Sequence, residues 1–179
     1  MRRPGRKSPL NDLEIGDPNH SYDYAIALLA LRDFSASELR KRLKERGYIE
    51  IAIEPVVEEL EATNRLNDRR YGINVVGFRA SRGKGPVRIR QELRRSGLTD
   101  EIIEEAVKTG EDVPDFLALA RAARARKFGP GIPKDRKERA RQARFLQYRG
   151  FSTDHIRAVL EGVPVDESDA EPDGEPVPN

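Results

Sequence analysis

A short pattern that occurs three times is the feature that most limits what this chain can fold into. In each copy, a run with helical spacing of apolar residues ends at a glycine, an apolar residue follows, and a second helical run begins. The glycines are Gly47, Gly97 and Gly150, which lie 50 and 53 residues apart. Self-similarity at such a spacing is typical of arrays of small repeated units. The pattern therefore predicts three tandem repeats.

The composition also favours an array. Hydrophobic residues make up 37% of the 179 residues and charged residues 36%, and the mean hydropathy is -0.72. So little apolar material suits several thin helical layers better than one thick core.

Cysteine usage and apolar run lengths bear on the location of the protein. The chain has no cysteine, which excludes disulfides and thiolate metal sites and suits a reducing cytosol. The longest apolar run, Ala25 to Leu31, is too short to span a bilayer, and the first residues lack the apolar stretch of a secretory signal. We expect a cytoplasmic protein without a membrane partner.

Helix start and stop signals divide the chain into five segments. We predict a flexible basic arm at residues 1–20, three-helix repeats at residues 21–64, 65–110 and 111–162, and a disordered acidic tail at residues 163–179. The predicted fold class is all-α, with three tandem three-helix repeats. For the tail, we weigh solubility against competition with polyanions for the basic repeats.

Several polar residues stand where helices are expected to begin. Ser35 and Glu38 have the spacing of a capping box, in which the serine oxygen accepts from the Glu38 amide while the carboxylate reaches back. Further N-caps are predicted at Asn67, Thr99, Asp112 and Ser152.

Proline and glycine limit two of the predicted helices. Pro55 lacks an amide hydrogen, so we place the regular part of its helix from about Glu54. Gly72 and Gly77 should each weaken the first helix of repeat two by about 1 kcal/mol relative to alanine. That helix therefore depends on packing for its stability.

Basic residues are concentrated in the second and third repeats. The segment from Tyr22 to Glu61 has six basic and nine acidic side chains, whereas Arg79 to Arg95 has seven basic and one acidic. Arg121 to Arg149 has eleven basic and two acidic side chains. This asymmetry predicts a polyanionic partner for the second and third repeats.

The candidate binding residues follow helical spacing. In the central helix, Arg88, Gln91 and Arg95 form one stripe and Arg90 and Arg94 another. In repeat three, Lys137, Arg141 and Arg144 form a basic stripe that ends at Tyr148. The basic side chains suit phosphates, and the tyrosine ring offers a surface for stacking. The full candidate set is Arg79, Arg82, Lys84, Arg88, Arg90, Arg94, Arg95, Lys137, Arg141, Arg144 and Tyr148.

Each of these signals has a plainer structural interpretation. The bases of the central helix could form a solvated helix face, and Tyr148 could lie flat over a neighbouring helix. The glycine-rich segment from Ala80 to Pro86 lacks the spacing of a P-loop and the Ser or Thr after Lys84, which favours a simple connector with Pro86 in the first helical turn.

No catalytic or metal-binding pattern is present in the sequence. It has no nucleophile elbow, no His-Glu metal spacing and no dinucleotide fingerprint after a strand. His155 has no second ligand at metal-binding spacing. We therefore expect a binding protein rather than an enzyme, without a cofactor or metal.

The central segment resembles a known family. The run GPVRIRQELRRSGLTDEIIEEAV at residues 85–107, preceded by LNDRRY at residues 66–71 and by Phe78-Arg79, looks like the signature repeat of the RecX family of RecA regulators. The segment from Tyr24 to Leu60 and the run ARFLQYRGFSTDHIRAVL at residues 143–160 resemble the first and third repeats of that family.

The resemblance implies a specific function. Members of this family are elongated, curved monomers that bind in the groove of the RecA filament on single-stranded DNA. They inhibit ATP hydrolysis, strand exchange and coprotease activity, in DNA repair and the SOS response. The resemblance leaves open whether DNA is contacted directly.

Two alternative functions remain from the sequence alone. The first is a nucleic-acid-binding module that acts without RecA, and the second is a helical adaptor whose acidic first repeat recruits a protein. Binding to phosphates should weaken steeply as salt rises, while an adaptor interface with an apolar centre should not.

Overall fold

The computed structural model describes residues 10–109 and 113–161, and all regular structure within them is helical, as predicted. Repeat one contains α1 (Pro18–Leu29), α2 (Ala36–Arg46) and α3 (Glu50–Ala62). Repeat two contains α4 (Asp68–Ser81), α5 (Pro86–Arg95) and α6 (Asp100–Glu104), which continues as a π-helical turn at Glu105–Thr109. Repeat three contains α7 (Phe116–Phe128), α8 (Arg136–Arg149) and α9 (Thr153–Glu161).

Each repeat has a hydrophobic core of its own. Leu43 in repeat one, Leu93 in repeat two and Leu146 in repeat three are completely buried at equivalent positions before the recurring glycine. Among the described residues, the three core clusters contain twelve, ten and four buried hydrophobic side chains, and the second cluster includes Phe116 of repeat three. Repeat three therefore depends more than the others on its contacts with its neighbour.

Most predicted N-caps are confirmed. The side chains of Asn67, Thr99 and Ser152 accept hydrogen bonds from the amides that open α4, α6 and α9. The prediction of Asp112 as the cap of α7 is wrong, because Asp115 accepts from the Ala118 amide at 2.8 Å. The helix begins only at Phe116, so the side chain immediately before it is the one within reach. Asp112 itself lies outside the described residues.

The predicted basic arm extends too far into the folded structure. Pro18 begins α1, because a proline at the first helical position has no amide hydrogen to leave unsatisfied, and Asp17 caps the helix. Leu10 packs against the first core, and the Ile15 carbonyl accepts from the Ile49 amide at 3.0 Å. Residues 10–20 therefore belong to repeat one, while residues 1–9 and the predicted acidic tail lie outside the described residues.

Pro55 lies inside α3 and does not delay its start. The helix begins at Glu50, not near Glu54 as predicted. Pro55 is exposed, and the carbonyl that it leaves without an internal donor belongs to the exposed residue Ile51, where water can replace the lost bond. Burial of Ile53 and its neighbours on the opposite face keeps the helix in place.

The recurring glycines mark the ends of α2, α5 and α8. Gly47, Gly97 and Gly150 all have positive φ values, of 113°, 81° and 86°. The end of α5 lies against the start of α2, where a β carbon on Gly97 would overlap Ser37. The end of α8 lies in the same way against the start of α5, where a β carbon on Gly150 would overlap Arg88. The second helices of the repeats therefore follow one another end to end.

A polar network joins repeats one and two. The Glu38 carboxylate accepts from Tyr71, Ser96 and Arg32 at 3.1, 3.1 and 2.9 Å. Ser35 caps α2 as predicted and donates to the Ser96 carbonyl at 2.5 Å. The predicted capping box is thus half formed, because Glu38 points across the joint instead of back to Ser35. Burial raises the pKa of Tyr71, so its hydroxyl remains a donor.

The two glycines of α4 have different surroundings. A methyl group on Gly72 would lie 3.3 Å from Leu98 and 3.4 Å from Ala106, whereas one on Gly77 would meet nothing within 4 Å. We expect Gly77→Ala to raise the free energy of unfolding by about 0.5 to 1 kcal/mol through helix propensity. Gly72→Ala should gain less, because the added methyl group would press against Leu98 before α6 and Ala106 after it. Urea unfolding followed by circular dichroism measures both variants, and equal gains would contradict this explanation of Gly72.

Candidate functional site

The end of α8 lies directly against the beginning of α5. The Gly85 amide donates to the Arg149 carbonyl at 2.8 Å, and the Val87 amide donates to the Gly150 carbonyl at 3.0 Å. These bonds pair amides at a helix start with carbonyls at a helix end, groups that have no partner within their own helices. They fix repeat three against repeat two and determine which side chains meet at this joint.

Close backbone approach at this joint requires glycine at two positions. Gly85 has φ -85° and ψ 165°, an extended conformation open to any residue, yet a β carbon there would overlap the Gly150 carbonyl. Gly150 has a positive φ, and its β carbon would lie 2.7 Å from the Arg88 nitrogen. The absence of side chains at both positions allows α5 and α8 to form a common surface.

A groove of about 380 Å³ lies across the joint. Its walls include Arg88, Gln91, Glu92 and Arg95 from α5 and Gln147 and Tyr148 from α8. The stripe predicted on α5 therefore forms one wall of a groove whose other wall comes from the next repeat.

Tyr148 is the exposed aromatic residue of this groove. The residue is 76% exposed, which excludes the alternative that it lies flat over a neighbouring helix. The Arg88 guanidinium carbon lies 5.7 Å from the ring centre, and Arg88 Nη1 donates to the Tyr148 carbonyl at 3.2 Å. A ring open to solvent beside a guanidinium offers a stacking surface together with a positive charge.

The stripe predicted on α8 continues from Tyr148. Arg144, Arg141 and Lys137 are exposed at helical spacing on the same side of α8. Arg141 forms an exposed ion pair with Glu138 at 3.2 Å, a contact of the kind that contributes little to stability. We use the name basic strip for the continuous set Arg95, Gln91, Arg88, Tyr148, Arg144, Arg141 and Lys137.

Three other predicted residues are engaged within repeat two. Arg90 pairs with Glu104 at 2.7 Å, and Arg94 pairs with Asp100 at 2.8 Å, so both connect α5 to α6. The hydrogen bond from Arg90 is the main cause that lowers the pKa of Glu104. Arg79 pairs in the same way with Glu92. These arginines stabilise repeat two and are less available to a partner than the basic strip.

The remaining two predicted residues lie outside the groove. The Arg82 guanidinium carbon lies 4.0 Å from the centre of the half-exposed Phe78 ring, and Lys84 is half-buried in the connection before α5. The structure therefore places Arg88, Arg95 and Tyr148 in the groove and leaves these two at the preceding loop, while Arg144, Arg141 and Lys137 follow Tyr148 along α8.

The single histidine of repeat three has a structural environment. His155 Nδ1 lies 2.8 Å from Ser152 Oγ, and its ring packs near Phe116 and Phe151. Burial lowers the pKa of His155, which favours the neutral ring. Within residues 10–109 and 113–161, no group of three or more acidic or histidine side chains could hold a metal ion. Nor is any described helix long and apolar enough to cross a membrane.

Comparison with known proteins accounts for all three repeats. The chain matches the first three-helix domain of RecX at residues 22–60, the second at residues 67–107 and the third at residues 114–160. The chain belongs to the RecX family. Each matched RecX domain lies inside one of the three predicted repeats, and the resemblance found in the sequence is confirmed.

Curated RecX proteins are similar to the chain over most of its length. It is 45% identical to the "Regulatory protein RecX" of Halorhodospira halophila over 137 residues, or 76% of this chain and 84% of that protein. It is 43% identical to that of Chromohalobacter salexigens over 139 residues, with coverages of 77% and 89%. For Vibrio parahaemolyticus, the identity is 40% over 140 residues, with coverages of 78% and 89%.

Solved RecX structures share the fold. The crystal structure of RecX from Lactobacillus salivarius gives a TM-score of 0.70 at 20% identity and covers 82% of this chain and 96% of that one. A second crystal structure of regulatory protein RecX gives a TM-score of 0.68 at 23% identity, with coverages of 80% and 71%. The predicted architecture of tandem three-helix repeats is therefore confirmed.

Proposed function

We propose that this chain regulates a RecA recombinase, mainly as an inhibitor, by binding the RecA filament on single-stranded DNA through the basic strip. Membership of the RecX family and relatives that are named regulatory proteins support this function. The observation that carries the assignment of the site is that two basic stripes from different repeats meet at the exposed Tyr148. A surface built from two repeats suits a partner with regularly spaced negative charges.

The dimensions of the basic strip fit a polymeric partner. Helices α5 and α8 contain 10 and 14 residues. At about 1.5 Å per residue, the two helices placed end to end span roughly 36 Å. Such a strip could contact several phosphates of one DNA strand or acidic groups on neighbouring RecA protomers. The exposed Tyr148 ring favours direct contact with DNA, because it offers a stacking surface to a base.

The proposed mechanism requires a preference for one filament state. A protein that binds every state of the filament equally tightly would not change the rate of ATP hydrolysis. We infer that the chain acts as a monomer without a cofactor in the cytoplasm, and that it stabilises a filament state in which hydrolysis, strand exchange and coprotease activity are suppressed.

Charge reversal at Arg88 and Arg95 tests the site. We expect the double variant R88E/R95E to need about tenfold more protein for half-inhibition of RecA, because repulsion replaces attraction along one wall of the groove. The assay is steady-state ATP hydrolysis by RecA on single-stranded DNA, with DNA in excess so that sequestration of DNA does not cause the loss. Circular dichroism should show unchanged helical content, since both side chains are exposed.

A charge-matched control uses helices that carry no residue of the basic strip. Arg126 on α7 and Arg157 on α9 are exposed, and R126E/R157E makes the same change in net charge. This control should inhibit like the unmodified chain. Full inhibition by a folded R88E/R95E variant would eliminate the strip as the binding site. If the unmodified chain binds bare single strands but does not inhibit RecA, the nucleic-acid-binding module replaces the proposed function.

A further inference from the structure

A second groove lies in repeat three, between α7, the loop before α8, and α9. Its volume is about 460 Å³, and its apolar walls include Ala122, Ala125, Ile132 and Val159. Ile132 is 49% exposed. An apolar groove open to water is unusual on a surface as charged as this one, and such grooves commonly bind an apolar segment.

The rim of this groove is positively charged. Arg124 is only 5% exposed and donates to the carbonyls of Gly131 and Pro130 at 2.7 and 2.9 Å and to Gln142 at 3.3 Å. These acceptors are neutral, and no ion pair of Arg124 or of the exposed Arg121 is found among the described residues. A buried guanidinium without a carboxylate favours an anion placed beside it.

The chain itself supplies a segment of matching chemistry. Helix α9 ends at Glu161, two residues after Val159 in the groove wall, which is roughly 3 Å of helical rise. The sequence continues with Gly162 and then Val163-Pro164-Val165, and Asp166 and Glu167 follow. Apolar residues followed by acidic ones match an apolar groove with a basic rim.

We propose that Val163 to Val165 bind in this groove and place Asp166 and Glu167 beside Arg121 and Arg124. The remaining acidic residues up to Glu175 then lie near the exposed bases of α8 and compete with polyanions for the basic strip. Ten extended residues span about 33 Å, which is enough to run along α8. Attachment to the same chain gives the tail a high effective concentration, so weak contacts suffice.

Paramagnetic relaxation in the full chain tests the docking. The sequence has no cysteine, so Ser168→Cys gives a single site for a nitroxide label. The label should broaden the amide signals of Ala122, Ala125 and Ile132. V163S/V165S should abolish this broadening because it removes the apolar contacts. V177S replaces one valine by serine farther along the tail and should leave the broadening unchanged.

Two results would overturn the docking. One is broadening that is absent at the groove or equally strong over all three repeats. The other is broadening at the groove between different chains. It is tested by mixing chains that carry the nitroxide with isotope-labelled chains that do not. Broadening in the isotope-labelled chains would assign the groove to a second copy. Neither measurement involves RecA or DNA, so the docking stands or fails independently of the proposed function.

Binding to a short oligothymidylate tests the competition. At low salt, V163S/V165S should bind severalfold more tightly than V177S, because the acidic residues no longer cover the bases of repeat three. Equal affinities in variants that differ in groove broadening would overturn the competition and leave only an intramolecular contact.

Discussion

Gly85→Ala is expected to lower the free energy of unfolding by about 2 to 5 kcal/mol and to disrupt the joint between repeats two and three. The added methyl group would overlap the Gly150 carbonyl, which is backbone and cannot move aside as a side chain does. Overpacking typically costs about 1 to 3 kcal/mol, and each backbone hydrogen bond lost at the joint adds about 0.5 to 1.5 kcal/mol. The small core of repeat three gives little compensation.

The backbone conformation of Gly85 makes this variant informative. Because its φ of -85° suits alanine, the substitution introduces a clash without backbone strain, and the less flexible unfolded chain offsets part of the loss. Gly131→Ala is the matched control, since a methyl group there meets nothing within 4 Å and Gly131 has no positive φ. Urea unfolding followed by circular dichroism measures both variants. Equal stability of the two would show that the joint can open at no cost.

The same variant links the fold to the proposed function. Gly85 is remote from the charged ends of the basic strip, yet its contact with Gly150 places Arg88 beside Tyr148. If repeat three moves away from repeat two, the groove loses one wall while every basic residue remains in the chain. We therefore expect Gly85→Ala to weaken inhibition of RecA as R88E/R95E does, although its net charge is unchanged.

Local sequence signals were sufficient to predict the helices and most of their ends. Asn67 and Thr99 cap helices because a short polar side chain precedes an apolar run, and Gly47 closes one because it tolerates a positive φ. The recurrence of Gly97 and Gly150 at matching positions indicated the repeats. The angular positions of Arg88 and Arg95 on α5 followed from helical periodicity alone and agree with the groove.

Contacts between helices could not be predicted from those signals. Periodicity placed Arg90 and Arg94 on an outer stripe, but it could not show that Glu104 and Asp100 of α6 lie opposite them. The role of Gly85 depends on the approach of Gly150 at the end of α8, which lies about 65 residues farther along the chain. Gln147 was missed as part of the groove, although its position just before the recurring glycine was the available signal.

The two joints use one geometry with different chemistry. Repeats one and two are connected by side chains around Glu38, whereas repeats two and three are connected by backbone pairs at Gly85 and Gly150, to which Arg88 and Arg149 add bonds to backbone carbonyls. Because the backbone pairs need no side-chain partner, Arg95 and Tyr148 face solvent beside the second joint. This difference accounts for the exposed bases of the groove at the second joint.

Ser35→Ala is expected to destabilise the first joint by about 2 to 4 kcal/mol. Ser35 is completely buried and uses its hydroxyl group twice, since it accepts from the Glu38 amide and donates to the Ser96 carbonyl. Loss of an N-cap costs about 1 kcal/mol, and a buried group left without its partner costs about 1 to 3 kcal/mol. The free energy of unfolding in urea, compared with that of the unmodified chain, measures the effect.

Two further variants, Ser37→Ala and Ser35→Gly, separate the capping of α2 by Ser35 from its hydrogen bond to Ser96. Ser37→Ala removes an exposed hydroxyl two residues away and should change stability by only a few tenths of a kcal/mol. Glycine caps helices almost as well as serine, with a difference of only a few tenths of a kcal/mol. Ser35→Gly therefore keeps most of the capping but cannot donate a hydrogen bond to Ser96. We expect Ser35→Gly to remain well below the unmodified chain in stability, because the hydrogen bond across the joint is lost. If Ser35→Gly recovers full stability, Ser35 acts only as a cap, and the bond to Ser96 does not hold the repeats together.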